Sequence, residues 1–160
     1  MFRNALLTTA AIALFLIAPH VAAQSCDGAT PPTLCIDPLS WNVIGLDSNK
    51  AATEGPDTFM VGARACNLGT TTLTTVVATY NTVGVVNPYI VLADNSTISV
   101  PELKPGRCED FYFNGQVTRV NAAFNTSQGY QISVTSGALT ATTPGNRELY
   151  VEHLNSQNRN

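Results

Sequence analysis

The sequence predicts an all-β chain of antiparallel sheets, and three observations carry that prediction. Threonine, asparagine and valine dominate after the first two dozen residues, while lysine and glutamate are scarce. β-Branched residues and turn-formers suit strands, where alanine, leucine, glutamate and lysine would suit helices. No window of eleven or more residues in that part keeps helical apolar spacing without a glycine or proline. Finally, short stretches alternating apolar with polar recur between turn signals at roughly 8–12 residue intervals, as in a sandwich or barrel with one wet face per sheet.

The elements follow in order. "SWNVIGLD" (Ser40 to Asp47) reads as a first strand with Trp41, Val43 and Gly45 on one face, Trp41 being assigned to the core. After the polar loop "SNKAATEGPD", "TFMVGARACNLG" places Phe59, Val61, Ala63 and Ala65 on one face and Arg64 and Cys66 on the other. It ends at a turn where Asn67 or Gly69 can supply positive φ. "TLTTVVATYN" puts Val76, Ala78 and Tyr80 together, and "VNPYIVLADNSTISV" holds one or two short strands broken at Asp94-Asn95. "CEDFYFNGQVT" alternates most cleanly, with Phe111, Phe113 and Val117 inward and Cys108, Asp110, Tyr112, Asn114 and Gln116 outward. "YQISVTS" aligns Tyr130, Ile132 and Val134, "GALTATTPGN" follows, and "RELYVEHL" closes the fold. The count is seven or eight strands.

The beginning of the chain is different in kind. Arg3, an apolar run from Ala5 to Ala18, Pro19, and small residues at Val21 and Ala23 make a secretory signal cut after Ala23. The run is shorter than the ~20 apolar residues of a membrane span. Removing 23 of 160 residues leaves 137, a length for one domain with its own core. Without Arg3, seven basic residues face eleven acidic ones, a net charge of about −4 with no basic run, so nucleic acid and anionic membrane surfaces are not expected partners.

Cys26, Cys35, Cys66 and Cys108 form an even set in an exported chain, which reads as two disulfides. Zinc would want close pairs with histidine partners, and His153 is the only histidine after the signal. Three pairings are possible. Cys66 ends one strand on its wet face and Cys108 starts another on its wet face, which favours Cys66–Cys108 across antiparallel neighbours and Cys26–Cys35 as an N-terminal staple.

No constellation points to catalysis, and no catalytic, cofactor-binding or metal-binding residue is assigned. His153 and Glu152 alternate onto opposite faces, so neither orients the other. Glu109 and Asp110 also point apart, and Asp110 is expected to be solvated or linked to Arg107. Calcium would need oxygen ligands gathered from "GLDSN", "EGPD" and "ADNST", each sparse by itself. Tyr80, Tyr89, Tyr112 and Tyr150 would make a carbohydrate-contacting patch only if they shared one exposed face.

Two turn motifs, Asn67-Leu68-Gly69 with Thr70 to Val77 after it, and Leu103-Lys104-Pro105-Gly106 before Phe111 to Val117, resemble those of immunoglobulin-like modules of bacterial surface proteins. That group includes the domain of unknown function 11 and the cell-adhesion-related domain of bacteria. The resemblance covers roughly Trp41 to Ser136, implies an immunoglobulin-like antiparallel β-sandwich, and implies an N-terminal module of a larger exported protein. In such a product, the sequons at Asn95 and Asn125 read as ordinary loop residues. The resulting expectation is a signal peptide (1–23), a stapled segment (24–38), an immunoglobulin-like sandwich (39–154) and a polar tail or linker (155–160). The function expected is that of a secreted or cell-surface structural or adhesion module, not an enzyme, without a cofactor. Its partner would be a protein or glycan at the envelope or extracellular matrix, or neighbouring domains of a longer chain. The alternative is a carbohydrate- or small-ligand-binding module accessory to a secreted enzyme.

Overall fold

The computed structural model describes Cys26 and residues 33–47, 52–53, 55–145 and 147–154. The segments expected to be a signal peptide (1–23) and a polar tail (155–160) lie outside these residues, as do parts of the "GLDSN" and "EGPD" loops. Among the described residues, ten strands form two sheets: β1 (Leu34–Pro38), β2 (Val43–Asp47), β3 (Thr58–Asn67), β4 (Leu73–Val83), β5 (Ile90–Leu92), β6 (Thr97–Leu103), β7 (Cys108–Val117), β8 (Ser127–Ser136), β9 (Leu139–Thr142) and β10 (Arg147–Leu154). The first sheet runs β1-β3-β7-β5, and the second β2-β10-β8-β4-β6 with β9 also on β8. Every pairing is antiparallel except β2 with β10, which is parallel. The fold is an immunoglobulin-like β-sandwich.

The alternating strands fold as their periodicity requires. Val61, Ala63 and Ala65 on β3, Val76, Ala78 and Tyr80 on β4, Phe111, Phe113 and Val117 on β7, and Tyr130, Ile132 and Val134 on β8 are all buried between the sheets. The core is aromatic at its centre. Tyr80 stacks on Tyr130 with ring centroids 5.4 Å apart and meets Phe113 at 6.0 Å across the sheets. Burial, and then the neighbouring Tyr130, push the Tyr80 hydroxyl well above the usual phenol range.

The start of the sandwich differs from the sequence reading. Leu34 to Pro38, expected in a staple ahead of the sandwich, form β1 and pair with β3. The first alternating stretch then begins later, at Val43, and its phase is reversed: Leu46 enters the core, whereas Trp41 stands 92% exposed and Val43 is exposed beside it. The reason is a crossing. After Pro38 the chain leaves the first sheet and joins the second beside β10, so Ser40 to Asn42 belong to a corner and the alternation restarts beyond it. "GALTATT" also contributes a strand, because β9 continues along β8 where β10 leaves off.

Candidate ligand-contacting surface

The outward face of the first sheet is built in rows. Cys35, Cys66 and Cys108 are register partners across β1, β3 and β7, and the bridges are Cys66–Cys108 and Cys26–Cys35, as the alternation favoured. The Sγ atoms of Cys26, Cys35 and Cys66 lie within 4.8 Å of one another, so the two bridges stack at one end of the sheet. Each of these sulfurs is in a disulfide, and a bridged sulfur is not the thiolate that a metal binds.

The next row is Asp37, Arg64 and Asp110. Asp110 accepts two hydrogen bonds from the Arg64 guanidinium, at 2.6 and 2.8 Å, and not from Arg107 as the sequence suggested. Sequence proximity misleads here: facing residues on adjacent strands share a side, whereas the turn residue Arg107 precedes the strand. Those bonds hold the Asp110 carboxyl below its ordinary range and raise Arg64.

The third row centres on Gly62. The Tyr112 ring lies across it, with Cδ1 and Cε1 each 2.6 Å from where a Cβ would stand. Gly62 donates its N–H to the Ser40 hydroxyl at 2.9 Å and accepts at its carbonyl from Leu39 N–H at 2.8 Å. Arg147 fixes the same corner from the other sheet, donating to the Ser40 carbonyl at 3.3 Å, the Asn42 side-chain oxygen at 2.7 Å and the Tyr130 hydroxyl at 3.1 Å. The Tyr150 N–H bonds the Asn42 carbonyl at 3.0 Å. Trp41 is thus held between two anchored residues while its indole faces water. Leu39, Met60 and Tyr112 are exposed as well.

Beyond Tyr112 the surface turns polar. A groove of about 630 Å³ is lined by Ala93, Asp94, Asn95, Thr97, Ile98 and Tyr112. Asn114 donates its side-chain amide to the Asp94 carboxylate, and its carbonyl accepts from Ala93 N–H at 2.8 Å. The wall of the groove is therefore tied to β7.

The remaining candidates are scattered. Tyr80 is core, Tyr89 is half-buried, and the Tyr150 hydroxyl donates to Asn125 Oδ1 at 2.8 Å, so the four tyrosines do not share a face. His153 is exposed with its ring 4.5 Å from that of Phe124. The Asp57 carboxyl is lowered chiefly by the hydrogen bond from Arg119. What the sequence reading missed is Trp41, assigned to the core; Ser40 and Asn42, polar residues on either side of it after Pro38, were the available sign of a corner.

No family model matches the chain, and no curated protein does. Among solved structures, a mutant of Salmonella alpha-2-macroglobulin superposes with a TM-score of 0.52 and 11% identity, over 77% of this chain and 7% of that one. Native alpha-2-macroglobulin from Escherichia coli, in a portion reaching its C-terminus, gives a TM-score of 0.50 and 14% identity over 84% and 17%. The likeness is one of fold. Fold and surface together define a disulfide-braced, immunoglobulin-like β-sandwich module, and this chain spans only a small part of the length of those proteins.

Proposed function

We propose that this chain is an exported structural or adhesive module of a bacterial cell surface, of the immunoglobulin-like kind its turn motifs resemble, and that it works without catalysis. The observation that carries the reading is the pair of stacked disulfides bracing one end of the sandwich, since such bridges form and persist in oxidising compartments. The chain's own groups are arranged for rigidity. Asp110 is engaged by Arg64, Asp57 by Arg119, and His153 lies against a phenylalanine ring. A sandwich pinned in this way transmits force or holds a surface still for a partner.

The test is the intact mass of the product from its own cells, with and without reductant. A product lacking the first 23 residues, recovered from the envelope or medium and gaining the mass of two reduced disulfides, is the expected result. A reduced product retaining its leader and recovered from the cytoplasm would end the proposal. A bacterial host bearing the chain, compared with one lacking it, should also attach more readily to its surface or to neighbouring cells.

A further inference from the structure

The corner at Trp41 is held by hydrogen bonds from both sheets, yet it presents a bare indole to water. Burying that side chain would remove a large apolar surface from water, so its exposure calls for a reason other than folding. We propose that Trp41 and Tyr112 form the platform of a binding site for a neutral oligosaccharide, with the groove from Asp94 to Thr97 receiving its hydroxyl groups. The inference rests on the adhesive reading above for its setting and names the ligand class that reading leaves open.

Geometry and chemistry both favour a sugar. A pyranose ring offers one apolar face of C–H bonds and a rim of hydroxyls. The first needs a flat aromatic surface held still, and the second needs fixed acceptors and donors beside it. Tyr112 supplies the surface because Gly62 has no side chain to lift the ring, and the residue is 46% exposed. Trp41 follows Ser40, whose hydroxyl bonds Gly62, so its backbone is tied to the same glycine that the Tyr112 ring crosses. Asp94, Asn95 and Thr97 supply the polar partners in the adjoining groove, and Asn114 fixes the Asp94 carboxylate. The groove's volume of about 630 Å³ falls within the usual range for small-ligand sites.

Rival ligands fit less well. Nucleic acid also stacks on aromatic rings, but it needs a positive track for its phosphates, and this groove contains Asp94 in a chain of net charge −3. A protein interface of standard size uses roughly 20–30 residues a side around a closed apolar centre. Here the exposed apolar side chains are few (Leu39, Trp41, Val43, Met60 and Tyr112), and they give way to the Arg64–Asp110 ion pair and the polar groove.

The experiment titrates the intact, disulfide-bonded chain with neutral hexasaccharides of glucose and of N-acetylglucosamine, in α- and β-linked forms. Emission of Trp41, the only tryptophan, is the readout. At least one sugar should shift that emission to the blue with a saturable curve. Tyr112→Ala should weaken binding about tenfold or more, the worth of a stacking partner. Tyr112→Phe should retain binding. Gly62→Ala, which keeps every aromatic group but displaces the ring, should weaken it, and this contrast stands even if Tyr112→Ala fails to fold. No response to any sugar at millimolar concentration, or binding indifferent to both Tyr112→Ala and Gly62→Ala, overturns the assignment. If sugars are ignored while cell attachment is lost with Gly62→Ala, the surface serves a protein and the adhesive reading survives alone. If sugar binds but the chain attaches to nothing, the adhesive reading fails and the glycan site stands.

Discussion

The two outward faces of this sandwich are made of the same kind of strand and have little else in common. On the second sheet, rows of small, mostly polar residues run straight across: Thr97, Thr79, Ser133 and Thr142 are register partners over four strands, and Ser99, Thr135 and Thr140 form the next row with Val77. Such residues satisfy strand propensity and little more. On the first sheet, the corresponding rows are a line of cysteines, a line of charges and a glycine crossed by a tyrosine ring. The contrast separates what a strand needs to exist from what a surface needs to act. Side chains with specific chemistry were placed on one face, whereas the other is a solvated backing.

If the first face is braced and the second only solvated, substitutions on the two should differ sharply. Replacing Cys66 and Cys108 together with serine opens a loop of 42 residues and should cost about 2–4 kcal/mol, seen as a thermal midpoint roughly 10 °C lower. Gln131→Lys on the second face, at a half-exposed position, should stay within about 0.5 kcal/mol. Equal effects at the two sites would remove the distinction. The next largest change is expected at Asn67, where the cysteine row meets the turns. Its side chain donates to the carbonyls of Thr71 and Leu103, both at 2.8 Å, and accepts from Gly69 N–H at 3.0 Å. Asn67→Ala leaves the Leu103 carbonyl without this donor inside the protein and should cost about 1–3 kcal/mol in chemical denaturation.

Asn67 also shows how far the sequence could be read. Its two turn motifs are legible as turns, but the reason first attached to one of them does not hold. Gly106 does adopt positive φ, at 70°, whereas neither Asn67 nor Gly69 is among the residues that do. Gly69 is required instead because the Thr33 methyl stands 2.6 Å from where its Cβ would be. The two motifs also bond each other, through Asn67 to Leu103 and through Gly106 N–H to the Asn67 carbonyl at 2.8 Å. Periodicity reveals which way a side chain points relative to its strand neighbours, so the core of β3, β4, β7 and β8 and the pairing of Cys66 with Cys108 could be read. It does not reveal where a chain changes sheets. Trp41 was misplaced for that reason, and with it the aromatic half of the candidate site. The pairing of Asp110 with Arg64 depends on strand register, which no stretch of either strand specifies by itself.

The smallest expected effect concerns the charge row, and it distinguishes the faces by pH. Asp110 has its carboxyl lowered by the Arg64 hydrogen bonds, so the folded state binds its proton less readily than the unfolded chain. Its contribution is therefore fully present above the unfolded carboxylate value of about 3.9 and is lost as pH falls through the lower folded value. The side chains are 51% and 31% exposed, so solvent and salt screen the pair and the gain is modest. Thermal midpoints of the parent and of Asp110→Asn should differ at pH 7 in low salt, draw together as pH falls below the unfolded carboxylate value of about 3.9, and differ less at pH 7 in 1 M salt. A gap that persists in acid would mean that Asp110 acts by shape alone. The row of charges would then be no more than another strand surface, like the threonines on the opposite side.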